Sequence, residues 1–323
     1  MSLAGPGRLT IGYRDATARD LLAQPRTLAV FSFDGTPSDN TDPRHVGILQ
    51  AALDPAAPCE CWTVEEDVVH GTEDDLRWSA GGGWHFVAIE VEEAAADGIE
   101  AACTHAYDRL LAHVGARRDL HLLRIWNYLG AINEGDGDAE RYRLFCGARA
   151  RSMAAHGMSR YPAATAIGHG GVPARLQVYA LCATAVGTAI ENPRQVSAWE
   201  YPREYGPASP SFARAMRLPG GGLAISGTAA VIGHASRHPG DVVAQVTEAV
   251  ANLRALLDRA ALAEFDGASP LKVYVRNPAD ADVVRDALAR HLDSSVPRLL
   301  LQGDICRREL LVEIDGWRLG NAG

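Results

Sequence analysis

Apolar and polar positions along the chain change period several times, and each change marks an element. Residues 1–80 alternate short apolar runs, such as Leu28 to Phe33, with polar and Pro-rich stretches; a few strands and loops are expected there, with Asp34-Gly35 as a turn. From Trp84 the pattern sharpens. WHFVAIEV is an apolar run of strand length, and DGIEAACTHAYDRLLAHVGA then takes helical spacing, with Asp97 as N-cap and Gly115 as stop. DLHLLRIWNYL predicts a strand, and DAERYRLFCGARARSMAAHG a second helix ending at Gly157. YPAATAIG and ARLQVYALCA predict two more strands, parted by the turn-forming HGGVP.

The same order returns further on. LAISGTAAVIG is strand-like, PGDVVAQVTEAVANLRALLDRA is a helix with Pro239 and Asp241 at its start, and PLKVYVRN is a strand. ADADVVRDALARHL is a helix, and VPRLLLQG and RRELLVEIDGW are two closing strands. Matching points keep a nearly fixed offset: Leu110 and Leu256 lie 146 residues apart, Tyr179 and Glu313 134. This is a duplicated β-α-β-α-β-β unit, over about 84–185 and again over 222–318, seen in pattern rather than identity. It predicts an α+β fold with helices packed on one face of each sheet, in an N-terminal domain 1–205 and a C-terminal domain 206–323. The stretch between, ENPRQVSAWEYPREYGPASPSFARAMRLPGGG, carries Trp199, Tyr201, Tyr205 and Phe212, and so reads as an ordered connection lying across both domains.

Composition narrows the function. With 47% hydrophobic and 22% charged residues the chain is ordinary globular protein, and its 323 residues suffice for two domains. A net charge of -9 argues against general nucleic-acid binding, and an anionic substrate would need a local arginine cluster. Six cysteines are too sparse for a disulfide scaffold, and Cys59-x-Cys61 without a companion pair gives little support for zinc; neither metal nor cofactor is expected. The N-terminus MSLAGPGRLT has no leader pattern and no apolar stretch is long enough to span a bilayer, so a reduced cytoplasmic protein with no membrane partner is expected.

Several motifs fail. There is no G-x-S-x-G, and GGG at 81–83 and 220–222 reads as turns. His234 and His238 stand four apart, but Pro239 places them in the loop before a helix. The informative residues lie at the C-terminus. Strand alternation puts Glu313 and Asp315 on one face, opposite Val312 and Ile314. Were the last two strands a hairpin, Arg298 and Glu313 would meet at one end of the sheet. A guanidinium there could grip a carboxylate, and a glutamate in an apolar wall could keep its proton near neutral pH.

The Pro-Arg opening followed by LVEID resembles the closing segment of the RidA family, in which an arginine binds a small carboxylate and a glutamate serves imine chemistry. In the first copy the same separation gives Ala164 and Tyr179. The chain as a whole resembles the chorismatases, through FSFDGTPSDN, IWNYLGAIN, ERYRLFCGARARSM, YPAATAIG, NPRQVSAWEYPREYGPASPSFARA, SGTAAVIGHASRHPGDV and CRRELLVEIDGW, which together span most of residues 30–317. That resemblance implies two tandem RidA-like (chorismate-mutase-like) units and cleavage of the enolpyruvyl ether of chorismate, with Glu313 as proton donor. For the substrate's carboxylates and hydroxyl the candidates are Arg298, Arg149, Arg203, Arg194, Tyr179 and Tyr201; for each arginine a salt bridge is the competing role. Cys306 resembles the cysteine of family members that form 3-hydroxybenzoate; others add water and form a dihydroxycyclohexadiene carboxylate. A non-catalytic RidA-like binding protein and a RidA-like imine hydrolase are the other readings. A duplicated unit can satisfy its own interfaces, so a monomer is expected.

Overall fold

The computed structural model describes residues 5–39, 41–54, 56–170 and 175–320, so part of the expected HGGVP turn lies outside them. The N-terminal stretch forms β1 (Leu9–Arg14), α1 (Ala18–Leu22), β2 (Thr27–Ser32), β3 (His45–Gly47) and β4 (Cys59–Val64), which make a sheet of order β1-β4-β2-β3. Cys59 and Cys61 pack under α1 as buried free thiols.

The first unit follows as β5 (Val69–Glu73), β6 (Leu76–Gly81), β7 (Trp84–Glu92), α2 (Glu93–Ala96), α3 (Ile99–Gly115), β8 (His121–Gly130), α4 (Arg141–Ala155), β9 (Ala163–His169) and β10 (Arg175–Ala183). Asp97 is not the N-cap of α3. Glu93–Ala96 already form a turn of helix, which Asp97 closes in the left-handed conformation (φ 66°), and the cap falls to Gly98. The second unit comprises β11 (Thr188–Ile190), β12 (Ala215–Arg217), β13 (Leu223–Ala229), the small hairpin β14 (Val231–Ile232) and β15 (Ala235–Ser236), and α5 (Val242–Arg259). It continues through β16 (Leu271–Val275), α6 (Ala281–Ala289), β17 (Arg298–Gln302), β18 (Asp304–Ile305) and β19 (Val312–Arg318). Asp241 caps α5 as expected, its carboxylate accepting from Ala244 N.

The duplication is real at the level of topology. The first sheet contains the order β9-β8-β10-β7 and the second β17-β16-β19-β13, each with its first pair parallel and the rest antiparallel. Helices cover one face of each sheet, α3 and α4 on the first and α5 and α6 on the second. The opposite faces meet each other and the N-terminal sheet in a core built on Trp62, Trp126, Tyr128, Tyr179, Tyr274 and Trp317. Tyr128 and Tyr274, 146 residues apart, share a hydrogen bond between their hydroxyls at 2.8 Å. The halves also interlock: β11, from before residue 205, joins the second sheet, while β18 crosses back to pair with β9. Among the described residues, no helix is long and apolar enough to cross a membrane.

The ladder corrects the pairing of the two copies. Glu313 lies level with Tyr274, and Tyr128, the residue 146 earlier, lies level with Gln177. Gln177, rather than Tyr179, is therefore the counterpart of Glu313, and Tyr179 answers to Asp315. Gln177 is spent on backbone: its side chain donates to Gly47 O and accepts from Leu49 N.

Four buried charges tie the three sheets together. Lys272 Nζ (β16) lies 3.0 Å from Glu60 Oε2 (β4) and 3.9 Å from Asp315 Oδ1 (β19), while Arg124 Nη2 (β8) lies 3.3 Å from Asp315 Oδ2. Burial alone would lower the pKa of Lys272; the Glu60 and Asp315 carboxylates outweigh it and hold it above the ordinary value. Breaking such a group on one side leaves a buried charge uncompensated. Lys272→Met should cost about 3–5 kcal/mol in urea unfolding, and adding Glu60→Gln should restore much of it. Equal stability of the single and double variants would show that charge balance is not what the core requires.

Candidate active site

A cavity of about 320 Å³ opens beside β9, where the first unit meets β13 and β19 of the second, within the size range of small-molecule sites. Its walls come from α4, β9, β13, the connecting segment 195–214, the stretch 306–310 after β18, and Glu313 of β19.

Glu313 is placed by strand alternation and by a bulge. Val312 and Ile314 face the helices, which turns Glu313 toward the cleft between the units. Opposite Asp315 the β13 ladder is irregular: Ile225 pairs with Gly316 but Thr228 with Ile314, so Ser226 and Gly227 together face one residue. A Cβ on Gly227 would overlap Glu313 Oε1, so this position keeps the carboxyl's space open. Ser226 ties the bulge to the first unit, accepting from Ala164 N (2.9 Å) and donating to Ala213 O (2.6 Å). Burial, and then the charge of Asp315, push the pKa of Glu313 up to about 8, against the opposing pull of Arg124, Arg214 and Arg307. Glu313 is thus a loaded acid at neutral pH.

Cations face it. Arg149 of α4 is 3% exposed; its guanidinium lies 5.4 Å from the Tyr107 ring centroid, and Nε and Nη2 have no hydrogen-bond partner. A buried guanidinium with idle N–H groups is costly unless an anion completes it. Arg214 Nη2 donates to Val196 O (2.8 Å) and Tyr201 OH (2.7 Å), while its Nε is unpaired. Arg307 donates to His234 O (2.8 Å) and packs over Tyr205 and Tyr201, at 3.9 and 5.1 Å from the ring centroids. Cys306 is carried to the wall by the crossing of β18; burial and then Glu313 push its thiol up to about 12, so it stays protonated, beside Tyr142 and Cys146.

Of the residues expected from sequence, the cavity gathers Glu313, Cys306, Arg149 and Tyr201. Four others lie elsewhere. Arg298 does not meet Glu313, because β17 pairs in parallel with β16 and not with β19; it stands level with Leu271, across the sheet from Gly316. Arg203 is exposed and paired with Asp138, and Arg194 is held by Glu248 and Asn252. Tyr179 is buried in the inter-sheet core, stacked on Trp126. Arg214 and Arg307 line the cavity but are not among the residues expected from sequence; an arginine in an aromatic-rich connecting segment, and one next to Cys306, are the available signals. His234 and His238 share no site: the first faces Glu204 and Tyr205, the second Glu248. No group of three or more His, Cys, Asp and Glu suited to a metal occurs among the described residues.

Known proteins bear on this geometry. A family profile described as "Chorismatase FkbO/Hyg5-like, N-terminal" matches residues 60–182. A 3-hydroxybenzoate synthase of Streptomyces hygroscopicus is 33% identical over 277 residues, covering 80% of each chain. A chorismatase of the same organism is 36% identical over 283 residues, covering 81% of this chain and 80% of that one. The crystal structure of a chorismatase superposes with a TM-score of 0.86 and 31% identity, over 99% of this chain and all of the other. A duplicated β-α-β-α-β-β fold, with identity of this level along most of its length, leaves one assignment: the chain belongs to the chorismatase family.

Proposed function

We propose that the protein cleaves the enolpyruvyl ether of chorismate and releases pyruvate, with Glu313 as the proton donor. The observation that carries this is one cavity holding both a carboxyl that keeps its proton to about pH 8 and a buried guanidinium, Arg149, with two idle donors. Chorismate offers a partner to each: an enol methylene to protonate and two carboxylates to bind. Arg149 takes one carboxylate, and Arg214 with Arg307 faces the other. Glu313 passes its proton to the methylene carbon, the alkene pair forms the new C–H bond, and the ether carbon becomes an oxocarbenium ion offset by the new Glu313 carboxylate. In the hydrolytic branch, water adds to that carbon, returns a proton to Glu313, and the hemiketal collapses to pyruvate and a dihydroxycyclohexadiene carboxylate. In the aromatising branch the ring C3–O bond breaks and pyruvate leaves with the ether oxygen, so the oxygen that stays on the ring is that of the C4 hydroxyl. Loss of the C4 proton to Glu313 then gives 4-hydroxybenzoate; 3-hydroxybenzoate requires the C4 oxygen to close on C3 as an epoxide, its hydroxyl proton going to Glu313, and the epoxide to reopen at C4 with the C4 proton passing to the oxygen.

Two observations favour 3-hydroxybenzoate: identity of 33% to a 3-hydroxybenzoate synthase, and a neutral Cys306 thiol on the wall beside Glu313. Hydrolysis is the second reading, since other relatives are named only as chorismatases. Arg298, Arg203, Arg194 and Tyr179 have no part in the proposed site. The six free cysteines fit a reducing cytoplasm, and the shared core of the two units fits a monomer.

Incubation of the purified protein with chorismate should release pyruvate, and mass and ultraviolet absorbance identify the second product; no pyruvate would point to a binding protein. Glu313→Gln should lower kcat by at least about 100-fold with substrate affinity retained. Because the free acid titrates near 8, wild-type kcat/KM should hold on the acid side and fall as pH rises past that value. Near-wild-type turnover in Glu313→Gln would mean that the proton comes from elsewhere. Arg149→Met should lower kcat/KM by about 10- to 150-fold, the worth of a charged hydrogen bond at about 1.5–3 kcal/mol. It should leave the melting temperature equal or higher, since the lost guanidinium has idle buried donors; a large drop in melting temperature would make Arg149 a structural residue. Cys306→Ala should change product ratios while pyruvate release continues, and an unchanged ratio would reduce Cys306 to packing.

A further inference from the structure

Glu313 has a second carboxylate behind it. Asp315 lies two residues on along the same face of β19, about 6–7 Å away by strand rise, and is completely buried. The two side chains have opposite surroundings. Asp315 Oδ2 accepts from Thr165 Oγ1 (2.7 Å), Trp126 Nε1 (3.0 Å), Tyr274 OH (3.1 Å) and Arg124 Nη2 (3.3 Å), with Lys272 Nζ 3.9 Å from Oδ1. Such a set of donors holds the Asp315 side chain in one place. Glu313 fills the space left open at Gly227. Thr165 joins the two settings, since it donates to Asp315 and also lines the cavity. Asp315 itself does not line the cavity.

We propose that Asp315 is a positioning residue for catalysis, a fixed negative charge behind Glu313 that keeps the acid protonated at neutral pH without touching substrate. Two like charges on one strand face, one wholly buried and the other nearly so, are costly together, so the carboxyl without donors keeps its proton. The groups that face Glu313 divide by sign. Arg124 from β8, Arg214 from the connecting segment and Arg307 from the 306–310 stretch favour its ionised form, and Asp315 opposes them. Cys306 is neutral, as is Tyr142 from α4, and Arg149 of α4 lies in the same cavity. Burial opposes these three cations most, and the charge of Asp315 adds to it. The buried network of Arg124, Lys272 and Glu60 thereby acquires a catalytic consequence beyond stability.

This inference rests on Glu313 as the proton donor, and its test reads Glu313 directly. The carbonyl stretch of a protonated carboxyl that disappears in Glu313→Gln reports the protonation of Glu313 whether or not the enzyme turns over. In Asp315→Asn, both that band and the alkaline limb of kcat/KM should move acidward by at least about one pH unit, the usual effect of losing a nearby like charge. At pH 8.5 kcat/KM should fall about tenfold, and at pH 6 it should stay within about twofold of wild type. Asp315→Glu keeps the charge and should keep the limb, at some cost in melting temperature; a purely structural role gives the reverse ranking, with the isosteric Asn benign. Should Asp315→Asn fail to fold, Asp315→Asn with Lys272→Met removes one buried charge of each sign and should move the limb the same way. An unmoved band and limb in a folded variant overturn the proposal. If Glu313→Gln turns chorismate over at the wild-type rate, the proton-donor reading fails, while the infrared titration still decides whether Asp315 governs Glu313.

Discussion

Two positive and two negative side chains, Glu60, Lys272, Asp315 and Arg124, meet almost wholly buried where three sheets converge. Each comes from a different strand, so the charges cancel only when the N-terminal sheet, the first unit and the second unit are all in register. Burial of ions is expensive and repaid only by close geometry. Both cations also lie over the Trp126 ring, at 4.2 Å for Arg124 and 4.9 Å for Lys272, and the indole N–H donates to Asp315. The aromatic core between the sheets thus serves as the low-dielectric medium in which these charges, and Glu313 at its margin, act on one another.

The cavity depends on exchanges between the units. Ser226 in the β13 bulge binds β9 backbone, β18 crosses from the second unit to pair with β9, and the connecting segment threads Tyr201 and Arg214 across the opening. Only one copy of the duplication bears a carboxyl at this ladder position. In the other, Gln177 occupies the equivalent ladder position and its amide is consumed by the backbone of residues 47 and 49. The N-terminal sheet thus closes the first copy's equivalent site and in the same fold supplies Glu60 to the core beneath the second.

Local pattern made the repeated elements legible, because period and caps are short-range properties: the two helices per unit and the face shared by Glu313 and Asp315 were all readable from spacing. Pairing was less so. Arg298 failed because sequence adjacency suggested a hairpin, whereas α6 precedes β17 and returns it parallel to β16, as α4 does for β9 and β8. The equation of Tyr179 with Glu313 failed by two residues, since the connections between matching strands differ in length: Tyr128 and Tyr274 are 146 residues apart, Gln177 and Glu313 136. Arg214 and Arg307 were hidden for another reason. Their places are set by a segment with little periodicity, held by rings and carbonyls distant in sequence. Long-range packing of that kind leaves no local signature.

Burial of the Glu313 carboxyl in the room left at Gly227 also makes folding a proton-uptake reaction. An unfolded chain releases this proton near the ordinary glutamate value of 4.5, and the native state keeps it to about 8. Between those values the folded form holds one proton more, so this site's contribution to stability is complete below 4.5 and drains away as pH rises through 8, by about 1.4 kcal/mol per unit. The fold is therefore loosened across the range in which the native carboxyl is still protonated, and above about 8, where that carboxyl ionises, this site withdraws nothing further from stability.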